Sequence, residues 1–268
     1  TFRSDGPYSD SRRPDVVTFS TPEADAKRRD FTVNALFLDP LDETLRPGGR
    51  VIDFVGGEAD LKRRVIRAVG DPEARLAEDH LRALRAVRFA ARLGFKIDPT
   101  TQAAIAAHTR ELRGVSRERI GEEMRKMLAH PSRARAVAML EELGLDAPVL
   151  EEPARRTGLK LMHGLSAEGI GLAESLAAWA LDRGLVITGP AAGAGSVAAR
   201  LVARYRKALC LSNDERDRVI GVLETLAALE EHWDDAGVAR QKRIVGGGST
   251  FWSALALLGA REPVREAA

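Results

Sequence analysis

EDHLRALRAVRF, Glu78 to Phe89, decides how the chain is read. It sets an acid pair ahead of Arg82, Arg85 and Arg88, which are spaced three apart, while Leu81, Leu84, Val87 and Ala91 recur with a helical period. At about 100° of rotation per residue, Asp79 and Arg82 are expected one turn apart on one helix, with Arg85 and Arg88 continuing a drifting charged stripe. Such a face can meet a base edge and a phosphate chain together. Ala83, Ala86 and Ala90 line its flank, where small side chains would let a flat ligand or another helix approach the backbone. A solvated amphipathic helix, with Glu78 and Asp79 complementing the dipole at its start, is the plainer reading of the same residues. The neighbouring sequence separates the two.

Downstream of Asp71 the hydrophobic period predicts helices over 73–93, 99–112, 116–129, 132–143, 166–183, 194–210, 213–232, 236–244 and 250–259. Asp98-Pro99-Thr100 and Ser116 mark helix starts. Upstream, VVTF at 16–19, FTVNALFL at 31–38 and RVIDFV at 50–55 read as short strands separated by turns such as Pro47-Gly48-Gly49. The fold class expected is mostly α, α+β overall. GPAAGAG at 189–195 and GGGS at 246–249 read as linkers, since neither has the lysine and context of a phosphate loop.

With 268 residues, 44% of them apolar and 30% charged, the chain can bury a core and suggests two domains. Its net charge of +2 means that any nucleic-acid surface must come from clustering, and the arginines do cluster between Arg63 and Arg135. The single cysteine, Cys210, excludes a disulfide framework and a thiolate metal site, and fits a core position in a cytoplasmic protein. No apolar run approaches the ~18 residues of a membrane span. The chain opens on Thr1 in what reads as mid-loop, so a longer parent is expected.

Two further runs carry chemistry. In KRRDFTVNALFLDP, Lys27 to Pro40, Arg28 and Arg29 stand beside Asp30, and two guanidiniums with one carboxylate suit phosphate oxygens and a sugar hydroxyl. Asn34, four residues on, is placed to orient that carboxylate; a surface ion-pair cluster is the alternative. In the run from Arg50 to Pro72, Asp53, Gly56, Gly57, Asp60 and Leu61 lead into a basic stretch, and the paired glycines permit a tight turn or hinge.

In order and spacing these runs resemble the tRNA nucleotidyltransferase and poly(A) polymerase family, specifically its bacterial class of CCA-adding enzymes. RRDFTVNA (28–35) is similar to the family's second motif, DFVGGEADL (53–61) to its third, EDHLRALRAVRF to its fourth and SRERIGEEMRKML (116–128) to its fifth. The opening TFRSDGPYSDSRRPDVVTF resembles the loop that precedes the second motif in CCA-adding members. The resemblance implies template-independent addition of C, C and A to the tRNA 3′ end from CTP and ATP. It assigns base selection to Asp79 and Arg82, completion of the nucleotide site to Arg85 and Arg88, a nucleotide contact to Arg29 and ribose recognition to Asp30. Arg28, Asn34, Glu78, Glu118, Arg119 and Glu123 take supporting roles. It divides the chain into the later part of a nucleotidyltransferase head (1–70), a helical neck (71–130) and a tRNA-holding body and tail (131–268), where Arg200, Arg204, Arg206 and Lys207 are candidate phosphate contacts.

The departure is the family's first motif, whose DxD pair binds two Mg²⁺ and which this sequence lacks. The chain alone is therefore not expected to catalyse, and no metal ligand is assigned; Asp5, Asp10 and Asp15 do not reproduce the pair's spacing. A poly(A) polymerase shares motifs two to five and is the alternative within the class. Outside it stands a non-catalytic RNA-binding helical module. Trp179, Trp233 and Trp252 are expected in helical cores, and His163 and the other histidines show no ligand spacing.

Overall fold

The computed structural model describes residues 3–5, 17–19, 21–42, 49–187, 196–232 and 248–266. The expectations for 189–195, 236–244, Pro47-Gly48, Trp233, Asp10 and Asp15 lie outside them. Two compact units divide the chain, Thr1–Val115 and Ser116–Ala268. The expected fold class holds: helices dominate, and the strands are short.

In the first unit β1 (Arg3–Asp5) pairs antiparallel with β2 (Val17–Phe19). Thr21 then caps α1 (Pro22–Lys27), accepting from the Ala24 N–H at 3.2 Å, with Pro22 where its missing N–H costs nothing. FTVNALFL does not form one strand. Asp30 accepts from the Phe31 N–H at 2.9 Å, and the Thr32 hydroxyl donates to Asp60 Oδ2 at 2.8 Å; with the Asn34 and Ala35 N–H groups turned back onto the Phe31 and Thr32 carbonyls, a 3-10 turn at Thr32–Asn34 replaces a continuous ladder. Only β3 (Leu36–Asp39) stays extended, antiparallel to β4 (Arg50–Asp53).

The glycine pair does not act as a hinge between the two units, because it lies inside the first and its turn is closed. Asp53 accepts the N–H groups of Val55, Gly56, Gly57 and Glu58, all at 2.9–3.0 Å. Burial would raise its carboxyl, but those four donors outweigh it and hold it below the usual carboxylate range. Gly56 takes φ +82°, and a Cβ on Gly57 would lie 2.2 Å from the Thr32 carbonyl, so α2 (Gly57–Arg63) can pack directly on the 3-10 turn.

After β5 (Val65–Ile66) the expected helix over 73–93 breaks in two, α3 (Pro72–Glu78) and α4 (Arg82–Leu93). Asp79 sits between them with extended backbone, φ −156° and ψ 100°; its carboxylate accepts the Leu81 N–H at 3.1 Å and its carbonyl the Arg82 N–H at 3.0 Å. An Asx-type turn has outbid the helix. Asp79 and Arg82 therefore do not share one helical face. The alanine flank is also not open: Ala83, Ala86 and Ala90 are buried with Leu84 and Val87. β6 (Lys96–Ile97), parallel to β5, was not expected; α5 (Pro99–Ala107), capped by Asp98 through the Thr101 N–H, starts where Asp98-Pro99-Thr100 predicted but ends before 112, where a 3-10 turn at Arg110–Gly114 takes over.

The second unit is a helical assembly: α6 (Arg117–Leu128), α7 (Arg133–Glu142), α8 (Asp146–Leu150), α9 (Lys160–Gly164), α10 (Leu172–Asp182), α11 (Val197–Leu209), α12 (Asn213–His232) and α13 (Ser249–Glu266). Its centre is α10, buried from Ala173 to Leu181 and packed against α6, α9, α12 and α13. Trp179 fills that core and donates to Glu141 at 2.9 Å. Trp252 does not: it is 55% exposed, with its ring edge against Phe251. Cys210 is half-buried and ends α11 at φ +48° instead of filling a core. A Cβ on Gly121 would lie 2.0 Å from the Leu209 carbonyl, so glycine sets how closely α6 approaches the end of α11.

Candidate nucleotide site

All six residues expected to touch nucleotide, Arg29, Asp30, Asp79, Arg82, Arg85 and Arg88, lie in the first unit. The structure joins Asp30 to Arg85, 55 positions apart: Arg85 Nε donates to Asp30 Oδ2 at 2.7 Å, and its Nη2 lies 2.6 Å from the same oxygen. The other oxygen, Oδ1, accepts from the Phe31 N–H at 2.9 Å and from the Asn34 amide at 3.1 Å. Four donors thus converge on one carboxylate, which has about four lone-pair sites. Asn34 takes the orienting position its spacing suggested, and its backbone carbonyl also accepts from Arg29 Nη1 at 2.7 Å.

Aromatic rings seat these cations. Arg29 stacks with its guanidinium carbon 4.9 Å from the Phe37 ring centre, and Arg88 lies 4.2 Å and Arg85 5.5 Å from that of Phe89. Phe89 meets Phe31 edge to face at 5.9 Å, which ties α4 to the RRDF segment through an apolar contact as well as an ionic one.

Arg82 points elsewhere. Its Nη1 donates to Glu78 at 2.7 Å and to the Arg75 carbonyl at 2.5 Å, while Arg75 itself pairs with Glu78 at 2.9 Å. Glu78, read from sequence as a helix-start acid, is instead the last residue of α3 and holds the arginine of the next helix. Next to Asp79, the His80 imidazole is pushed down by burial and by the neighbouring His108 ring, whose centre is 5.6 Å away.

Two residues of this region were missed by the sequence reading. Asp25 accepts from both Arg28 and Arg29, and Arg75 shares Glu78 with Arg82. An acid three and four positions ahead of two adjacent arginines was the available signal for Asp25.

Glu118, Arg119 and Glu123 lie on α6 in the second unit, where Glu123 is buried and pairs with Lys126 at 3.2 Å. Arg125 meets Glu215 through two bonds of 2.6 and 2.7 Å, which raise its guanidinium further above the ordinary value, and Arg117 donates to the Pro148 carbonyl at 2.9 Å. On α11, Arg200, Arg204, Arg206 and Lys207 are all exposed; Arg204 pairs with Glu152, and Arg206 donates to Asn213 Oδ1. Among the described residues no group of three or more His, Cys, Asp or Glu side chains is placed to hold a metal ion. No described helix is long and apolar enough to cross a membrane.

Residues 1–67 match the model of the poly A polymerase head domain, and residues 94–156 that of the probable RNA and SrmB-binding site of polymerase A. The CCA-adding enzyme of Latilactobacillus sakei is 35% identical over 235 residues, 87% of this chain and 56% of the relative. Residues 1–67 and 94–156 thus carry the head and RNA-binding domains of the poly(A) polymerase family. The CCA-adding enzyme of Geobacillus stearothermophilus is 47% identical over 148 residues, 55% of this chain and 35% of that enzyme. Among solved members of the family, the Bacillus stearothermophilus CCA-adding enzyme in complex with CTP superposes with a TM-score of 0.72 at 30% identity, covering 98% of this chain and 59% of that one. A CCA-adding enzyme in apo form II, at 20% identity, shares the fold with a TM-score of 0.70 over 99% of this chain and 62% of its own. The chain thus spans between about a third and three fifths of the family members it matches.

Proposed function

We propose that this chain is the nucleotide-selecting and tRNA-holding part of an enzyme that adds C, C and A to tRNA 3′ ends from CTP and ATP without a template, in the cytoplasm. The Asp30–Arg85 pair carries the reading, because it joins the second and fourth motif segments into one site in a chain 30% identical to a CTP-bound relative. In this reading 1–70 serve as head, 71–130 as neck and 131–268 as body and tail. Arg29, Arg85 and Arg88 supply positive charge and flat donors for the triphosphate and sugar, and Asp30 accepts from the ribose. Since its oxygens already take four donors, a ribose hydroxyl must displace one, and the neutral Asn34 amide at 3.1 Å is the weakest held. Asp79 and Arg82 read the base edge, with Glu118, Arg119 and Glu123 supporting from the fifth motif.

Arg82 has to leave Glu78 to do so. The ionic half of that exchange is cheap, since Glu78 is 47% exposed and an ion pair open to water on its acid side contributes about 0–1 kcal/mol; the same Nη1 must also give up the Arg75 carbonyl. Mg²⁺ would activate the 3′ hydroxyl and neutralise pyrophosphate in such a transfer. The described residues offer it no cluster of three or more ligands.

Incubating tRNA trimmed of its CCA end with the protein, Mg²⁺ and CTP, ATP or both checks the reading by product length. Products three nucleotides longer are expected when the enzyme is complete. A ladder with ATP alone would favour poly(A) synthesis, which the poly A polymerase head match also accommodates. Tight tRNA binding without nucleotide binding would favour the non-catalytic RNA-binding module.

A further inference from the structure

Asp25 is a carboxylate that the motif reading leaves unused. It lies on α1, only 2% exposed, and its two oxygens are divided between two cations. Oδ1 accepts from Arg28 Nε at 2.9 Å and from its Nη2 at still closer range, while Oδ2 accepts from Arg29 Nε at 3.1 Å and Nη2 at 2.9 Å. Positions three and four ahead on a helical turn share one face, so a single acid here reaches both neighbours in sequence. Burial alone would raise the Asp25 carboxyl; the bonds from Arg29 and Arg28 outweigh it and hold it below the usual range, so it stays ionised.

Arg29 is closed on its other side by the Asn34 carbonyl and the Phe37 ring. Three of the five N–H donors of its guanidinium are committed, which fixes the plane of the fork, yet its side chain remains 37% exposed. A guanidinium held in one plane and open on one side suits a polyphosphate, because the ordering cost of a long flexible side chain has been met before the ligand arrives.

We propose that Asp25 is the positioning residue that presets Arg28 and Arg29 for the triphosphate of the incoming nucleotide. The proposal rests on the reading of Arg29 as a nucleotide contact. Calorimetric titration of the chain with CTP, and separately with inorganic tripolyphosphate, tests it in Asp25→Asn, Asp25→Glu and Arg29→Ala, with the thermal midpoint followed alongside. Loss of the charge in the isosteric Asp25→Asn is expected to weaken both probes by about tenfold or more, and Asp25→Glu, which keeps the charge but shifts it, by less. A role in packing alone predicts the reverse order, since asparagine fits the space and glutamate does not, and that order would overturn the proposal. So would Asp25→Glu binding as the parent does while Arg29→Ala loses both probes, a comparison that decides the matter even where Asp25→Asn does not fold. If Arg29→Ala itself binds normally, the nucleotide reading of Arg29 falls first, and the role of Asp25 falls with it.

Discussion

Two aspartate–arginine pairs of nearly equal length do different work in the two units. In the second unit Asp146 and Arg183 meet at 2.7 Å with side chains 0% and 3% exposed, and Arg183 also donates to the Pro153 carbonyl. In the first, Asp30 and Arg85 meet at 2.6 Å but are 11% and 32% exposed. Distance does not separate them; access to water does. A pair sealed from solvent can only hold structure, whereas one open on its arginine side can still exchange partners with a ligand. Glu78 and Arg82, at 2.7 Å, are opened on the acid side instead, with Glu78 47% and Arg82 15% exposed.

The largest effect is expected at the sealed end. Arg183→Met strands Asp146 as a buried charge and should cost about 3–5 kcal/mol of unfolding free energy in urea titration. Adding Asp146→Leu should restore most of that loss, because the penalty belongs to the unpaired charge and not to the missing bond. If the double variant is no more stable than the single one, the pair stabilises by attraction, and the contrast with Asp30–Arg85 is lost.

The middle pair should show itself in binding more than in stability. Asp30→Asn and Arg85→Gln should each weaken CTP binding by about 1.5–3 kcal/mol, the range for a hydrogen bond to a charged group, with far smaller changes in the urea midpoint. Because each variant breaks the same contact, the double variant should bind scarcely worse than either single one, a coupling about as large as one single loss, roughly 1.5–3 kcal/mol. Additive losses would mean that the two residues meet the nucleotide separately and that their contact is incidental.

The sequence announced the elements whose causes are local. Asp71 and Asp98 cap helices and are each followed by proline, and both starts are visible as letters. The break at Asp79 was hidden because the apolar period runs through it unchanged, while the event that stops the helix is a side chain bonding its own backbone. α8 and α9 have five residues each, too few to display a period. Of the site, Asp30, Asn34 and the arginines were legible as residue types, but the pairing of Asp30 with Arg85 needed the fold. Asp25 escaped because α1 is six residues long and its acid reads as a surface charge. Arg133, 2% exposed and donating to the Leu128, Ser166 and Ile170 carbonyls, escaped for a related reason: nothing in its neighbours shows that a cation is buried among backbone oxygens.

The smallest effect belongs to the exposed end, and its sign is informative. Glu78→Gln removes the charge that holds Arg82 but leaves the Arg75 carbonyl, so stability should move by less than about 1 kcal/mol. If Arg82 must swing from Glu78 to a base edge, weakening its resting place lowers the cost of leaving, and CTP should bind up to about fivefold more tightly, which the same free-energy range allows. If Glu78 instead aims Arg82 while the base is bound, the variant should bind CTP more weakly and should discriminate less between CTP and ATP. Titrating both nucleotides into the variant separates the two, since a released arginine strengthens binding and a misaimed one blurs the choice. A fall beyond tenfold would place Glu78–Arg82 with Asp30–Arg85 as a working contact and would end the argument that exposure alone ranks these pairs.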